Sequence, residues 1–244
     1  MNSNGKRVSV IIPALNEQDS IELVIWDIPK HLVKEIIVVD NGSTDRTSEV
    51  ASHAGARVVR ENRRGYGAAC LKGIASANNP DIIVFMDGDY SDYPEEMEQI
   101  ITPILKGEAD LVIGSRITGT ASERVLPQHA YWGNKLTTWL INALYHYRFT
   151  DLGPFRAISY KHLILLGMQD NDYGWTVEMQ VKALIHGLKV IEIPVSYRKR
   201  VGKSKVTGTI AGSLKAGIKI LYTVFSLRPQ KRNTASYHNC RRVI

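Results

Sequence analysis

Two aspartates separated by one glycine, Asp87-Gly88-Asp89, follow the apolar run Ile82–Met86, and a bend between them would bring both carboxylates to one point. Hard oxygen ligands in such a pair suit Mg²⁺ or Mn²⁺, ions that also take water and phosphate oxygens. By itself the triplet is equally the composition of a solvated turn. Two further polar clusters follow apolar runs in the same manner: Pro13-Ala14-Leu15-Asn16-Glu17 after Val8–Ile12, and Asp40-Asn41-Gly42-Ser43-Thr44-Asp45 after Glu35–Val39. Asp40, Asn16 and Glu17 are placed to hydrogen-bond a base or ribose, while Asn41-Gly42-Ser43-Thr44 also suits a turn and a helix cap. Arg63-Arg64-Gly65-Tyr66-Gly67 precedes a helical pattern, where backbone donors and cations favour phosphate. Arg198-Lys199-Arg200-Val201-Gly202-Lys203-Ser204-Lys205 places five cations in eight residues and reads as a mobile, phosphate-seeking loop.

The elements that must position these residues show in the periodicity. Val8–Ile12, Glu35–Val39, Val58–Arg60, Ile82–Met86 and Leu111–Ile113 are short, rich in Val and Ile and mostly without alternation, as in parallel strands buried on both faces. Helical patterns over Asp19–Ile28, Thr44–Ala54, Gly67–Ala77 and Pro94–Leu105 lie between them, several opening on Ser, Thr, Asp or Pro. Strand and helix thus alternate as in a doubly wound α/β unit, whose ligands bind beyond the carboxyl ends of the strands. All three polar clusters are expected to face that one crevice. Beyond it we expect a helix over Tyr131–Tyr147, a loop over Asp151–Arg156, a helix over Trp175–His186 closed by Gly187, and a strand over Lys189–Tyr197. Ile210, Leu214, Ile218, Leu221 and Phe225 recur at helical steps with Lys215 and Lys219 on an adjoining face. That amphipathic helix either lies on a membrane interface or packs on the domain.

At 244 residues with 44% hydrophobic and 23% charged positions, the chain is core-forming rather than disordered, and it shows no fixed repeat. Of its 31 Lys and Arg, twelve lie between Arg198 and Ile244, a stretch without an acid; the rest sets 19 cations against 24 acids, a formal charge of −5. An acidic body with a basic tail points to an anionic partner such as phosphate, nucleic acid or a membrane surface. Tyr197 stands five positions before Gly202-Lys203-Ser204, where a P-loop needs glycine, and no G-x-G-x-x-G follows the first strand, which excludes the commonest ATPase and dinucleotide-binding patterns. H-E-x-x-H and G-x-S-x-G are missing as well. Cys70 and Cys240 have no metal-ligand spacing, and no apolar run reaches the length of a signal-peptide core or a membrane span, so free thiols and a cytoplasmic location are expected.

Val10-Ile11-Ile12-Pro13-Ala14-Leu15-Asn16-Glu17, Val38-Val39-Asp40-Asn41-Gly42-Ser43-Thr44-Asp45, Asp87-Gly88-Asp89, Gly114-Ser115-Arg116 and Phe155-Arg156, taken in order, resemble the signatures of family 2 glycosyltransferases. The resemblance runs from about Val8 to Lys205 and is nearest to the dolichyl- or polyprenyl-phosphate mannosyl- and glucosyltransferases. It implies a GT-A fold, α/β with a predominantly parallel sheet flanked by helices. It further implies a UDP- or GDP-sugar donor, Mg²⁺ or Mn²⁺, inverting displacement and a polyprenyl phosphate acceptor at the cytoplasmic membrane face. Carried over by position, Pro13, Leu15, Asn16, Glu17, Asp40, Asp87 and Gly88 would bind the nucleotide sugar, and Asp87 and Asp89 the metal. Asp89, Arg116 and Arg156 would act in catalysis, and Arg198, Lys203, Ser204 and Lys205 would hold the acceptor phosphate. The organisation expected is a glycosyltransferase domain over 1–205 with halves 1–115 and 116–205, an amphipathic helix over 206–227 and a basic tail over 228–244.

Two departures stand out. Asn41 replaces the second of two aspartates common in relatives, and Ser91 sits where dolichyl-phosphate mannosyltransferases place a metal-binding Gln, leaving Ser91, water or Asp92 to substitute. An ionised phosphate acceptor needs positioning by Arg and Lys more than a general base. A soluble hydroxyl acceptor would instead need a base such as Asp151 or Glu178. A non-catalytic module binding nucleotide sugar or anionic lipid is the alternative from another class. Nucleic-acid binding is not expected, because the basic tail lacks a recognised fold and regular aromatic interleaving.

Overall fold

The computed structural model describes residues 5–118, 128–202 and 210–227. Its strands are β1 (Val8–Ala14), β2 (Glu35–Asp40), β3 (Arg57–Arg60), β4 (Ile82–Phe85), β5 (Leu111–Ser115), β6 (Arg156–Ser159) and β7 (Val190–Pro194). They form one sheet in the order β3-β2-β1-β4-β6-β5-β7. All neighbours are parallel except β6, which runs antiparallel to both β4 and β5. The helices are α1 (Ile21–Asp27), α2 (Thr47–His53), α3 (Tyr66–Ser76), α4 (Met97–Leu105), α5 (Gln128–Tyr145), α6 (Tyr160–Leu166), α7 (Trp175–Ile185) and α8 (Ile210–Ser226).

Alternate residues of the central strands point to opposite faces, and each face has its own core. Val10, Ile12, Val38 and Val84 pack with Ile21 and Ile25 of α1, Ala51 of α2 and Ile100 of α4. Ile11, Ile37, Ile83 and Phe85 pack with Cys70 of α3, Ile141 and Tyr145 of α5, Val181 of α7 and Val224 of α8. Double burial explains why the strands read as unbroken apolar runs. At its carboxyl end β1 leaves β4: their pairing stops at Ile11 and Phe85, whereas β1 stays with β2 up to Ala14 and Asp40. The sheet therefore splays at Pro13, whose missing N–H costs no ladder bond to β4 there.

The second half departs from the sequence reading in three places. Arg156, expected to close a loop, instead opens β6; the connection after β5 returns to the same end of the sheet and sets Arg156 opposite Ile113, so the strand runs antiparallel rather than parallel. α6, which the sequence reading did not anticipate, follows directly and ends on Gly167 at φ 53°. β7 stops at Pro194, short of Tyr197, although Val195 still donates its amide to the Ser115 carbonyl at 3.1 Å. α8 packs on α5 and α7 through Thr223 and Val224, and leaves Ile218 and Phe225 of the expected apolar face exposed.

Candidate active site

The loops after β1 and β2 are stapled together. Asn16, at φ 55°, donates its amide to Ser43 Oγ (2.9 Å) and accepts the Thr44 amide on Oδ1 (2.8 Å). Asp40 closes the second loop, with Oδ1 accepting from the Ser43 amide and Oδ2 from Ser48 Oγ, both at 2.7 Å. Burial pushes the Asp40 pKa up, but Ser43, Ser48 and Arg60 outweigh it and hold the carboxyl below its ordinary range. Asn41 Nδ2 donates to the carbonyls of Glu61 (3.2 Å) and Arg63 (2.7 Å), and Oδ1 accepts the Gly65 amide (2.8 Å). An ionised aspartate has no protons to donate to those carbonyls, so asparagine is the residue this staple requires.

That staple sets the start of α3 against the acidic loop. Tyr66 donates its hydroxyl to Asp87 Oδ1 at 3.2 Å, and burial followed by the Asp87 charge pushes its pKa well up, keeping it a donor. The loop at 170–173 seats directly on this helix start. A Cβ on Gly65, at φ 137°, would lie 2.0 Å from the Asn171 carbonyl oxygen, and one on Gly67 would lie 2.0 Å from that of Asp170.

Asp87 is half-buried and Asp89 buried. Asp89 Oδ1 accepts from the amide (3.0 Å) and hydroxyl (2.5 Å) of Ser91, and Oδ2 pairs with the Arg200 guanidinium. Ser91 is fully buried and thus orients Asp89 from behind. Asp92 Oδ2 accepts the Asp87 amide at 3.3 Å. Burial, then the Asp87 charge, pushes the Asp92 carboxyl up to about 7. Burial also raises Asp87, against the pull of Arg200 and Arg116. Tyr90 sits at φ 61°, uncommon for a bulky residue, and is held by its hydroxyl bond to Asp27 Oδ2 and by the Arg198 guanidinium 3.3 Å from its ring centre.

The basic stretch is fastened here as far as it is described. Tyr197 forms a bridge with Asp92, the Arg198 amide donates to the Ser91 carbonyl, and the Val201 amide donates to the Asp89 carbonyl, the last two at 2.9 Å. Through Gly202 it is an antiparallel strap on the acidic loop, where a mobile loop was expected. Pairing between segments about a hundred residues apart leaves no local sequence signal.

Beneath the loops, Arg116 forms a bidentate pair with Asp151, both bonds 2.8 Å. Burial raises the Asp151 pKa, but Arg116 overcomes it and holds the carboxyl below its usual range. Buried Arg156 donates to the carbonyls of Leu152, Gly153 and Thr176; burial lowers its guanidinium to about 10, leaving it charged at neutral pH. Glu178 accepts the amides of Gln169 and Asp170 and pairs with Lys182 at 2.7 Å.

A cavity of about 480 Å³ opens at this end of the sheet, within the ~300–1,000 Å³ usual for small-molecule sites. Pro13, Leu15, Glu17, Asp87, Gly88 and Asp89, all chosen from the sequence, line it. Asn16 and Asp40 shape its loops from behind. Neither Arg116 nor Arg156, both expected to act in catalysis, lines the cavity; Arg198 sits on its flank with Tyr90 and Tyr93. Lys203, Ser204 and Lys205 fall outside the described residues. Arg64, Tyr66, Asp172, Tyr173 and Arg200, none of them assigned to the site from the sequence, also line the cavity. Arg64 and Tyr66 belong to the Arg63–Gly67 stretch that reads as favouring phosphate and Arg200 to the basic stretch, whereas Asp172 and Tyr173 carry no signal in the sequence.

Asp87 and Asp89 together with Arg64 and Arg200 in one cavity suit a ligand carrying both a metal and phosphates. The Glycosyl transferase family 2 model matches residues 9–164, and the chain belongs to that family. It is 36% identical over 215 residues to an uncharacterised glycosyltransferase of Mycobacterium bovis, across 86% of this chain and 94% of the relative. Its identity to a dolichyl-phosphate hexose transferase of Haloferax volcanii is 28% over 212 residues, across 84% and 89%. Glucosyl-3-phosphoglycerate synthase of Mycobacterium tuberculosis, crystallised with Mn²⁺, UDP and glucosyl-3-phosphoglycerate, superposes with a TM-score of 0.76 at 26% identity, over 93% of this chain and 81% of that one. The protein is a glycosyltransferase with the GT-A fold.

Proposed function

We propose that the enzyme transfers a hexose, with inversion, from a UDP- or GDP-sugar to a polyprenyl phosphate at the cytoplasmic face of a membrane. The observation that carries the reading is the cavity at the splayed strand ends, lined by Asp87, Asp89, Arg64 and Arg200. The donor set fits Mg²⁺ or Mn²⁺. Among the described residues no group of three or more Asp, Glu, His or Cys forms a cage, and two carboxylates that leave places for water and diphosphate oxygens are what such an ion takes. When bound, the ion would neutralise charge on the departing nucleoside diphosphate. Ser91 holds Asp89 for that task and Tyr66 holds Asp87, while Arg64 and Arg200 supply positive charge for phosphate oxygens. Pro13, Leu15 and Glu17 would line the nucleoside end.

The name of the Haloferax relative and the acid-free basic stretch from Arg198 support the lipid phosphate acceptor. The two bases a soluble hydroxyl acceptor would call on, Asp151 and Glu178, are tied to Arg116 and to Lys182 with two amides. A soluble phosphorylated acceptor is the second reading, favoured by the likeness to the phosphoglycerate enzyme. No helix among the described residues is long and apolar enough to cross a membrane; a peripheral position at the membrane is part of the proposal. Incubation of UDP-glucose or GDP-mannose and Mn²⁺ with prenyl phosphate, phosphoglycerate or glycerol, followed by product mass spectrometry, tests the proposal. A glycosyl prenyl phosphate is expected. Transfer only to phosphoglycerate or glycerol would overturn the acceptor, and donor binding without turnover would mark a binding module.

A further inference from the structure

Two helices present apolar stripes to solvent. On α5, Trp132, Leu136 and Trp139 are 64%, 52% and 63% exposed; on α8, Ile218, Tyr222 and Phe225 are 61%, 66% and 52% exposed. Each set has the spacing i, i+4, i+7 and so forms a single line along its helix. The helices pack against each other, Tyr145 of α5 donating its hydroxyl to the Val224 carbonyl of α8 at 2.8 Å. Ile141, Tyr145 and Val224 enter the same core on one side of the sheet, so the two exposed lines point away from the sheet on that side.

Charge identifies what covers them. Neither helix carries an acid, and α8 lies within the stretch from Arg198 that has twelve cations and no acid. Lys135 stands 5.0 Å from the Tyr131 ring centre and 5.6 Å from that of Trp132, and Lys219 stands 5.8 Å from that of Tyr222. Tryptophan and tyrosine beside lysine, on a helix with an apolar line, are the side chains that settle at a bilayer's headgroup level, where anionic lipids attract the cations.

α5 is also tied to the Asp151 loop beneath the cavity, and α8 to a loop of the cavity wall. Asn134 Nδ2 donates to the Thr150 carbonyl (3.2 Å) and its Oδ1 accepts the Leu152 amide (2.9 Å), either side of the Asp151 that pairs with Arg116. Lys219 of α8 pairs with Asp170 at 2.9 Å, in the loop that supplies Asp172 and Tyr173 to the cavity wall. We propose that α5 and α8 together form a docking face for an anionic lipid bilayer, with Trp132, Leu136, Trp139, Ile218, Tyr222 and Phe225 entering the interface beside the cavity. The inference rests on the lipid-acceptor reading above, and extends it to a surface on α5 that the charge pattern did not indicate.

Trp26, 59% exposed on α1 across the sheet, is an internal control. The full chain is mixed with phosphatidylglycerol vesicles containing brominated acyl chains and its tryptophan fluorescence recorded, alongside Trp26→Phe, Trp132→Phe and Trp139→Phe. Quenching is expected in the parent and in Trp26→Phe, and reduced in each of the other two. The triple variants Trp132→Ser/Leu136→Ser/Trp139→Ser and Ile218→Ser/Tyr222→Ser/Phe225→Ser should each cut cosedimentation with these vesicles at least tenfold and leave the UDP–Mn²⁺ thermal shift unchanged. Vesicle binding unaltered by both triple variants, or quenching confined to Trp26, would overturn the docking face. So would a dimer in sedimentation velocity that the serine variants dissolve without any vesicle binding, since the face would then belong to a second copy. Docking with transfer only to soluble acceptors would leave the face standing and sink the lipid-acceptor reading; prenyl-phosphate transfer without docking would do the reverse.

Discussion

Asp89 is buried against Ser91 on one oxygen and Arg200 on the other, so its charge and its position are held by different neighbours. Asp89→Asn keeps an acceptor for the Ser91 donors while removing the charge. It should abolish metal-dependent turnover with the circular dichroism spectrum intact, whereas Ser91→Ala should weaken Mn²⁺ affinity ~10–100-fold, as loss of an orienting partner does. Unchanged turnover in Asp89→Asn would refute the metal assignment. Asp40 bears on stability. Its carboxyl lies below the ordinary range in the folded protein, so its contribution is present above the unfolded value, about 3.9, and is lost as pH falls through the folded value. Asp40→Ala should cost about 1–2 kcal/mol at neutral pH through two lost hydrogen bonds, and the gap to the parent should shrink below about pH 4 in urea titrations. A gap constant with pH would assign the loss to packing. Asp87 and Asp89 were legible because two residues set their relation and a buried strand sets their place. Arg200 was not, because its meaning comes from a strap laid across residues 89–92.

At the scale of elements, glycine separates sites of close approach from empty space. Gly67→Ala puts a Cβ 2.0 Å from the Asp170 carbonyl oxygen, and backbone yields poorly, so a loss of about 1–3 kcal/mol is expected, the range for overpacking. Because the displaced loop carries Asp172 and Tyr173, UDP affinity should fall with the melting temperature. Gly133→Ala on α5 meets nothing within 4 Å and should stabilise the protein by about 0.5–1 kcal/mol, the glycine penalty within a helix. Calorimetry and UDP titration of both variants check the contrast, and Gly67→Ala with parental affinity would detach the 170–173 loop from the donor site. β1, β2, β4 and β5 read correctly because double burial writes itself as nearly unbroken Val, Ile and Leu, whereas β3, an edge strand with no buried residue, shows only through Val58 and Val59. β6 has four residues and begins on an arginine, so nothing in its composition distinguishes it from the loop before it; its place between β4 and β5 is fixed by tertiary pairing.

Across the whole molecule, one sheet carries two cores, and the core on the α5 side reaches into α8. The sequence reads 206–227 as an amphipathic helix that lies on a membrane interface or packs on the domain, and Val224 is fully buried in the same cluster as Ile141 and Tyr145. What holds α8 is this contact, the Tyr145 hydroxyl on the Val224 carbonyl, and Lys219 with Asp170. Tyr145→Phe keeps the ring and removes one buried hydrogen bond, which should cost about 1 kcal/mol and lower the melting temperature by about 2–4 °C for a chain of this size. A helix attached at one edge opens more readily than the central strands. Hydrogen exchange in Tyr145→Phe should therefore quicken in residues 210–227 while β1 and β4 keep their parental protection. An equal loss of protection in α8 and the strands would show instead that the helix unfolds only with the sheet, making it integral to the catalytic unit rather than a part that opens by itself.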